Sequence, residues 1–520
     1  MQYKYILIFF ILFTVLYFIN DNQDPTVNSN VNNKVYSREN KSHYKIGCSV
    51  INIDGKEALF LGGNYGKGDS LLMYNDESKI LEDKIKGTGI SSKEPTYAAV
   101  SFDINNNGKD DLIICRPSGV YIYLNEGNMK FKEKKIYSDF KDREPTSISI
   151  SDVNKNKLPD IYISTYISHH KYIPYQFNNK TNTSRNVLLI NKGNLEFEDQ
   201  TFKYNAEGEY NTNTACFVDF GSGNPDLILA NDTGLIQILI NKNGHFTSIY
   251  PFKKYGCWQG LAVGDYNNNG KLDLFFTNIG NNHSINNIKG DKTKNGIYDY
   301  QEITNKHLLL ENKNNYIFED VSKKANVDDY AFGNGAVLED INLNGKLDII
   351  FSQNYIIPDF NTTKKGEILV NHNKMNACVV LENKNNKYKR INRFVNRNPS
   401  QTPISIDFNS DGIKDLVWVN SCGNIFGYIV NNYHSNNFIN IRLPNNVKYV
   451  NATVTVHHKN TSQMRQHIIG GIGSSSDQSH LLSFGLGKIK FVDRINILTI
   501  YGDNVVIDNP KINRTTIISK

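Results

Sequence analysis

Residues Ala336–Ser352 read AVLEDINLNGKLDIIFS, and this stretch decides how the rest of the chain is read. An apolar run leads into Asp340; Asn342, Asn344 and Gly345 follow, then Asp348 and a second apolar run. Carboxylate and amide oxygens at alternating positions can turn inward around one hard cation, and the glycine permits the sharp turn that folds the last aspartate back. An EF-hand loop begins in the same way, but closes with a glutamate three positions later and runs into a helix. Here the closing residue is Asp348 and β-prone residues follow at once, so the stretch predicts a calcium bend between two strands.

The pattern recurs. Asp103, Asn105, Asn107, Gly108 and Asp111 repeat it, as do Asp265, Asn267, Asn269, Gly270 and Asp273. Asp407, Asn409, Asp411, Gly412 and Asp415 form a version with a third carboxylate. Asp152, Asn154, Asn156 and Asp160 keep the oxygens but carry Lys157 where glycine is expected. The stretch at Asp219, DFGSGNPDLIL, is one residue shorter, has Gly221 and Gly223 in place of ligands, and is expected to hold no metal.

A second signature follows the bends: an apolar strand, an asparagine, a polar turn and an aromatic. It runs over Tyr121–Phe131, Val187–Phe197, Ile236–Phe246, Leu308–Phe318 and Val379–Tyr388, and reads as hairpins. With Asn52–Asp54 taken as a worn first bend, there are seven units of unequal spacing, near 54, 103, 152, 219, 265, 340 and 407. Units that are β throughout and lack a capping repeat predict an all-β, seven-bladed β-propeller over 46–435, with a linear solenoid second. The largest polar insertions are Ser168–Asn186 and Gly280–Asn305.

The bend with its glycine-rich lead, as in Phe332-Gly333-Asn334-Gly335-Ala336, resembles the FG-GAP/VCBS repeats of integrin-α-like propellers, which implies calcium in the matching bends. From about Tyr433 the pattern changes. The strand of Ala452–Val456, the Gly470–Gly473 turn with its serines, Phe484-Gly485-Leu486-Gly487 and Val492-Asp493 resemble the ASPIC/UnbV module, a small C-terminal β domain over 436–515. Propeller and module in this order are similar to the cartilage acidic protein family of secreted calcium-binding proteins. Tyr501 stands where that module usually ends in Trp-Pro-Asp-Gly.

The start of the chain, MQYKYILIFFILFTVLYFIN, has an apolar run from Ile6 to Ile19, short of the roughly 20 residues of a spanning helix. It predicts a signal peptide or uncleaved anchor over 1–20, a disordered linker over 21–45, and a secreted or cell-surface location. A net charge of +6 scattered among nearly as many acids excludes a nucleic-acid surface. The six cysteines, Cys48, Cys115, Cys216, Cys257, Cys378 and Cys422, show no CxxC; either they stay free or some pair, with Cys48 and Cys422 placed to close the ring. Sequons occur at Asn179, Asn182, Asn231, Asn361 and Asn451.

Calcium in these bends is expected to clamp strand turns and do no chemistry, at affinities of roughly 10⁻⁴ to 10⁻³ M, with the bend of Asp407, Asp411 and Asp415 the tightest. Magnesium, which demands octahedral geometry and keeps its waters, fits less well. His169-His170 and His457-His458 have no ligand-spaced partner, Gly470–Gly473 lacks the lysine of a phosphate loop, and Lys289-Gly290-Asp291 is a chance tripeptide in an insertion. The expectation is therefore a non-catalytic, monomeric scaffold whose insertions meet an extracellular protein or glycan. The alternative is a glycan-active hydrolase or lyase with its site in the propeller channel.

Overall fold

Strands form where apolar side chains alternate between two directions that both end in a core. In Asp111–Arg116, Leu112 and Ile114 point into one apolar cluster, while Ile113 and Cys115 point into another. Both faces of the strand are therefore buried. The outermost strand of the same sheet, Lys130–Tyr137, buries Phe131 and leaves its other residues exposed or half-buried, several of them lysines, as an edge strand does. This computed structural model describes residues 46–519 and the backbone of 34–36, apart from 65–67, 139, 169–170, 172–176, 178–181, 280–302, 329–331, 354–359, 363–367, 371–376, 392–395, 397, 422–424 and 429–434.

Seven antiparallel sheets of the repeat kind follow one another along the described residues. Their innermost strands are Cys48–Ile53, Ala98–Phe102, Arg143–Ser151, Asn211–Val218, Trp258–Gly264, Gly333–Glu339 and Ser400–Ile406. Each consecutive pair of sheets shares one apolar cluster. A seventh cluster joins Cys48, Val50 and Leu59 of the first sheet to Ile404, Ile406 and Val417 of the last. Seven sheets with seven shared cores close on themselves, so the fold is a propeller ring and the solenoid is excluded.

The last sheet takes its outer strand from the start of the chain: Lys34–Tyr36 pairs with Ile425–Tyr428. Part of the segment expected to be a linker thus completes a blade. The worn first bend at Asn52–Asp54 is a plain hairpin turn, with the Gly55 N–H donating to Asn52 Oδ1 at 3.0 Å.

The C-terminal module is two further sheets around their own core. Leu481–Gly487, Asn437–Arg442 and Thr515–Ile517 make one; Thr461–Gln466, Thr453–His458, Arg494–Leu498 and Asn504–Asp508 make the other. Ile439, Ile441, Val454, Val456, Phe484, Leu486, Ile495 and Ile497 fill the space between them. Ring and module form one compact unit, Lys34–Lys520. Among the described residues no helix is long and apolar enough to cross a membrane.

The glycine-serine turn after Thr461–Gln466 enters the axis of the ring. Ile469–Gly470 pairs with Arg143–Ser151, and Ser476–Asp477 pairs in parallel with Cys48–Ile53. Gly473 bridges Leu261, and Thr214 Oγ1 donates to Gly471 O at 3.0 Å. Ser101 N donates to Asp477 Oδ2 at 3.0 Å, Ser474 N to Thr402 Oγ1 at 3.3 Å, and a Cβ on Gly335 would lie 2.9 Å from Ser474 N. Residues 469–478 therefore touch the innermost strand of all seven sheets. Gly471 makes this possible, since at φ +72 a Cβ there would lie 1.9 Å from the Ala215 carbonyl oxygen.

Candidate metal centres

Each bend begins in the residue just after an innermost strand and ends in the first residue of the next strand, so strand pairing sets its two aspartates side by side. In the bend of Asp340, Oδ1 accepts the Asn344 N–H at 3.0 Å and Oδ2 accepts the Gly345 N–H at 2.7 Å. Asn342 Oδ1 accepts the Asn344 N–H at 3.2 Å, and Asn344 Oδ1 accepts the Lys346 N–H at 2.9 Å. The same bonds recur around Asp103, Asn105 and Asn107, and around Asp265, Asn267 and Asn269. They recur again at Asp152, Asn154 and Asn156, and at Asp407, Asn409 and Asp411. Side-chain oxygens of each bend thus bond its own backbone and shape the turn.

The closing aspartates do a second job. Asp348 Oδ2 accepts the Ile341 N–H, and Oδ1 accepts the N–H of Asn383 from the third strand of the sheet. Asp111, Asp160 and Asp273 bond Asn125, Asn191 and Asn312 in the same way, as does Asp226 with Asn241. Those asparagines are the ones in the second sequence signature. Their side-chain amides donate back to carbonyls of the bend, as Asn383 Nδ2 does to Leu347 O at 3.2 Å. The two signatures are halves of one stitched unit. The separation from closing aspartate to asparagine runs from 14 to 39 residues, so the link follows from the recurrence of one such asparagine after each bend and not from spacing.

Paired aspartates repel. Burial, and then the neighbouring first aspartate among the other causes, pushes the carboxyls of Asp111, Asp160 and Asp273 up to about 7, 8 and 8. Asp340 and Asp407 rise to about 6 and 7, each chiefly by burial. Two buried carboxylates, rimmed by amide oxygens, fit a hard divalent cation, which would remove both the repulsion and the desolvation cost. Among the described residues no three carboxylate, imidazole or thiol groups gather at one point. Asp411 stands at the exposed turn position that Asn107 and Asn344 hold in the sibling bends, its oxygens accepting from Ile413 N and Asn409 Nδ2. At the short bend, Asp219 Oδ1 takes the N–H groups of Gly221 and Gly223, and Tyr316 Oη donates to Asp226 Oδ2 at 2.8 Å.

The module covers this face of the ring. Asn445 Nδ2 donates to Asp110, Tyr501 Oη to Asp152, Gln466 Nε2 to Asp219 O and Asn440 Nδ2 to Gly412 O. Arg465 lies buried within electrostatic reach of Asp265 and Asp340, and Gly485 packs on Asp340. The acids Glu57, Glu339 and Asp477 are spent on neighbouring side chains. Glu57 accepts from Arg442 and Ser479, Glu339 from Lys414 and Ser405, and Asp477 from His480.

Other expectations are corrected. Cys48 is a free buried thiol, as are Cys115, Cys216, Cys257 and Cys378, so no bridge from Cys48 closes the ring; Cys422 lies outside the described residues. Asn182, Asn231 and Asn451 are buried, with Asn231 Nδ2 donating to Leu235 O and Asn451 Nδ2 to Phe217 O, which leaves no room for a glycan. His169-His170, the Lys289-Gly290-Asp291 tripeptide, Asn179 and most of both polar insertions lie outside the described residues, as does the apolar run 6–19.

The FG-GAP-like repeat family matches residues 103–163 and 220–276, and the ASPIC and UnbV family matches residues 443–520. No curated protein sequence matches the chain. Among solved structures, an Agrocybe aegerita lectin that recognises non-reducing terminal N-acetylglucosamine overlays with TM-score 0.42 at 14% identity, covering 72% of this chain and 88% of the lectin. The BBS1N domain crystallised with ARL6DN gives 0.43 at 9% identity, over 76% and 94%. The Vibrio cholerae biofilm matrix protein Bap1 gives 0.32 at 9% identity, over 92% and 76%.

Proposed function

We propose that this chain is a calcium-clamped propeller of the secretory pathway or cell surface, akin to the cartilage acidic protein family, that acts as an interaction scaffold for a protein or glycan. Calcium is assigned to the bends 103–111, 265–273, 340–348 and 407–415. Each pairs two aspartates with amide oxygens and has glycine at its turn. The ions would be held by the paired aspartates with asparagine and main-chain oxygens, and would supply charge neutralisation at the strand turn.

The observation that carries the scaffold reading is the filled axis. Propellers that act on small substrates use the channel, and here residues 469–478 fill it with hydrogen bonds to the innermost strands. The bend face lies under the module, so partners meet the opposite face, the rim or the polar insertions.

The test is a thermal melt of the full chain in chelator and in calcium. An ion concentration 100 times the dissociation constant stabilises by about 2.7 kcal/mol per site, so about 10 mM calcium raises Tm by several degrees. An unchanged Tm at that concentration overturns the calcium assignment.

A further inference from the structure

The bend of Asp152 has every oxygen of its siblings, yet one contact sets it apart. The hydroxyl of Tyr501, from the C-terminal module, donates to Asp152 Oδ2 at 2.6 Å. The same oxygen already accepts the Lys157 N–H at 2.7 Å, and Oδ1 accepts the Asn156 N–H at 3.0 Å. A carboxylate oxygen offers two in-plane lone pairs, and both on Oδ2 are taken. At Asp340 the corresponding Oδ2 takes one hydrogen bond, from Gly345. The closing Asp160 bonds Val153 N and Asn191 N just as Asp111 and Asp348 bond their counterparts, so the difference lies at Asp152.

We infer that this bend excludes calcium and serves as a tyrosine-capped anchor that fastens the C-terminal module to the third blade. The inference rests on the calcium reading of the other four bends for its contrast. The seam around the contact is built to hold it. Tyr501 and Val447 pack on the apolar cluster shared by the second and third sheets, with Val450 and Ile500 inside it. Ser151, the residue before Asp152, donates its hydroxyl to Asn451 Oδ1 at 2.7 Å. Lys157, at φ +64, holds the left-handed turn that the sibling bends give to glycine. The short bend follows the same logic: Tyr316 from the next sheet caps Asp226 where the ligand oxygens are missing. The two bends with imperfect motifs thus each have a carboxylate that receives a phenol. A phenol hydrogen bond offsets the buried charge without a cation.

Full-length chain and its variants are compared by counting calcium per chain in native mass spectrometry at millimolar calcium, and by thermal melts in chelator. Asp103→Asn is expected to lose one ion and Asp152→Asn none. Tyr501→Phe, which keeps the ring, is expected to lower Tm in chelator by about 2 °C and to speed amide exchange in residues 447–451 and 499–501. Loss of an ion in Asp152→Asn, or a Tyr501→Phe protein that melts and exchanges like wild type in chelator, overturns the inference. If Asp103→Asn loses no ion, the calcium reading fails, and the anchor then stands or falls on the Tyr501→Phe melt and exchange.

Discussion

The main-chain N–H of Asn383 lies 2.7 Å from Oδ1 of Asp348, joining the third strand of a blade to the end of its bend. Because Oδ2 of the same carboxylate holds the Ile341 N–H, the aspartate stitches three chain segments. Asp348→Asn turns one of these acceptors into a donor and leaves a buried N–H facing it. The expected cost is about 1–3 kcal/mol. Urea unfolding in chelator reads it; a variant destabilised only in calcium would show that the aspartate works through the ion alone.

A second relationship predicts a pH effect. His480 Nε2 lies 3.2 Å from Asp477 Oδ1 at the base of the axial segment. Burial pulls the His480 pKa down, but Asp477, Asp110 and Glu57 together push it up, and the net shift is upward. A histidine raised in the fold contributes stability that is fully present below its ordinary value of about 6.5 and is lost as pH climbs through the raised value. His467, with its ring 5.5 Å from that of His480, is buried and held neutral, its pKa down at about 3. It therefore works in the opposite sense, costing stability as pH falls below about 6.5. His480→Gln keeps a donor and removes the charge, so its Tm deficit against wild type is expected to be larger at pH 6 than at pH 9. Equal deficits would mean that His480 is neutral in the fold.

The ring was legible because its signals are local. A bend of alternating oxygens between two apolar runs specifies a strand turn by itself, and a short continuous apolar run such as Leu112–Cys115, buried throughout, suits a strand between two cores. What escaped notice depends on distance. The axial segment reads as an ordinary glycine-serine turn, because its partners Ser101, Thr214 and Leu261 are more than 200 residues away. Asn231 and Asn451 read as sequons, because nothing near them in sequence reports burial.

Gly485 explains part of the Phe484-Gly485-Leu486-Gly487 segment. A Cβ there would lie 2.1 Å from Asp340 Oδ2 and 2.4 Å from the Leu343 main chain. Leu343 O also accepts the Gly487 N–H at 2.8 Å, so the strand cannot withdraw without losing this bond. Gly485→Ala is expected to loosen the module from the sixth blade, costing about 2 kcal/mol or more and opening the junction to protease. Gly487→Ala meets nothing within 4 Å and bears only the strain of φ +55, about 1 kcal/mol. Equal losses in the two variants would argue against the close approach.

The tyrosine anchor makes a gain of binding predictable. In Tyr501→Phe the second lone pair of Asp152 Oδ2 is released, but Lys157 still holds the turn at φ +64 with a side chain. Lys157→Gly removes that strain and a local positive charge, leaving two aspartates and two asparagines in the register of the bend at Asp103. The double variant Tyr501→Phe/Lys157→Gly is therefore expected to take up one calcium more than wild type in native mass spectrometry, and to recover in calcium the stability it loses in chelator. An unchanged count would mean that the committed oxygens of Asp160, bonded to Val153 N and Asn191 N, keep the ion out even when the phenol is gone. Because Asp111 makes the same two bonds to Ile104 N and Asn125 N, that outcome would also count against calcium in the bend of Asp103.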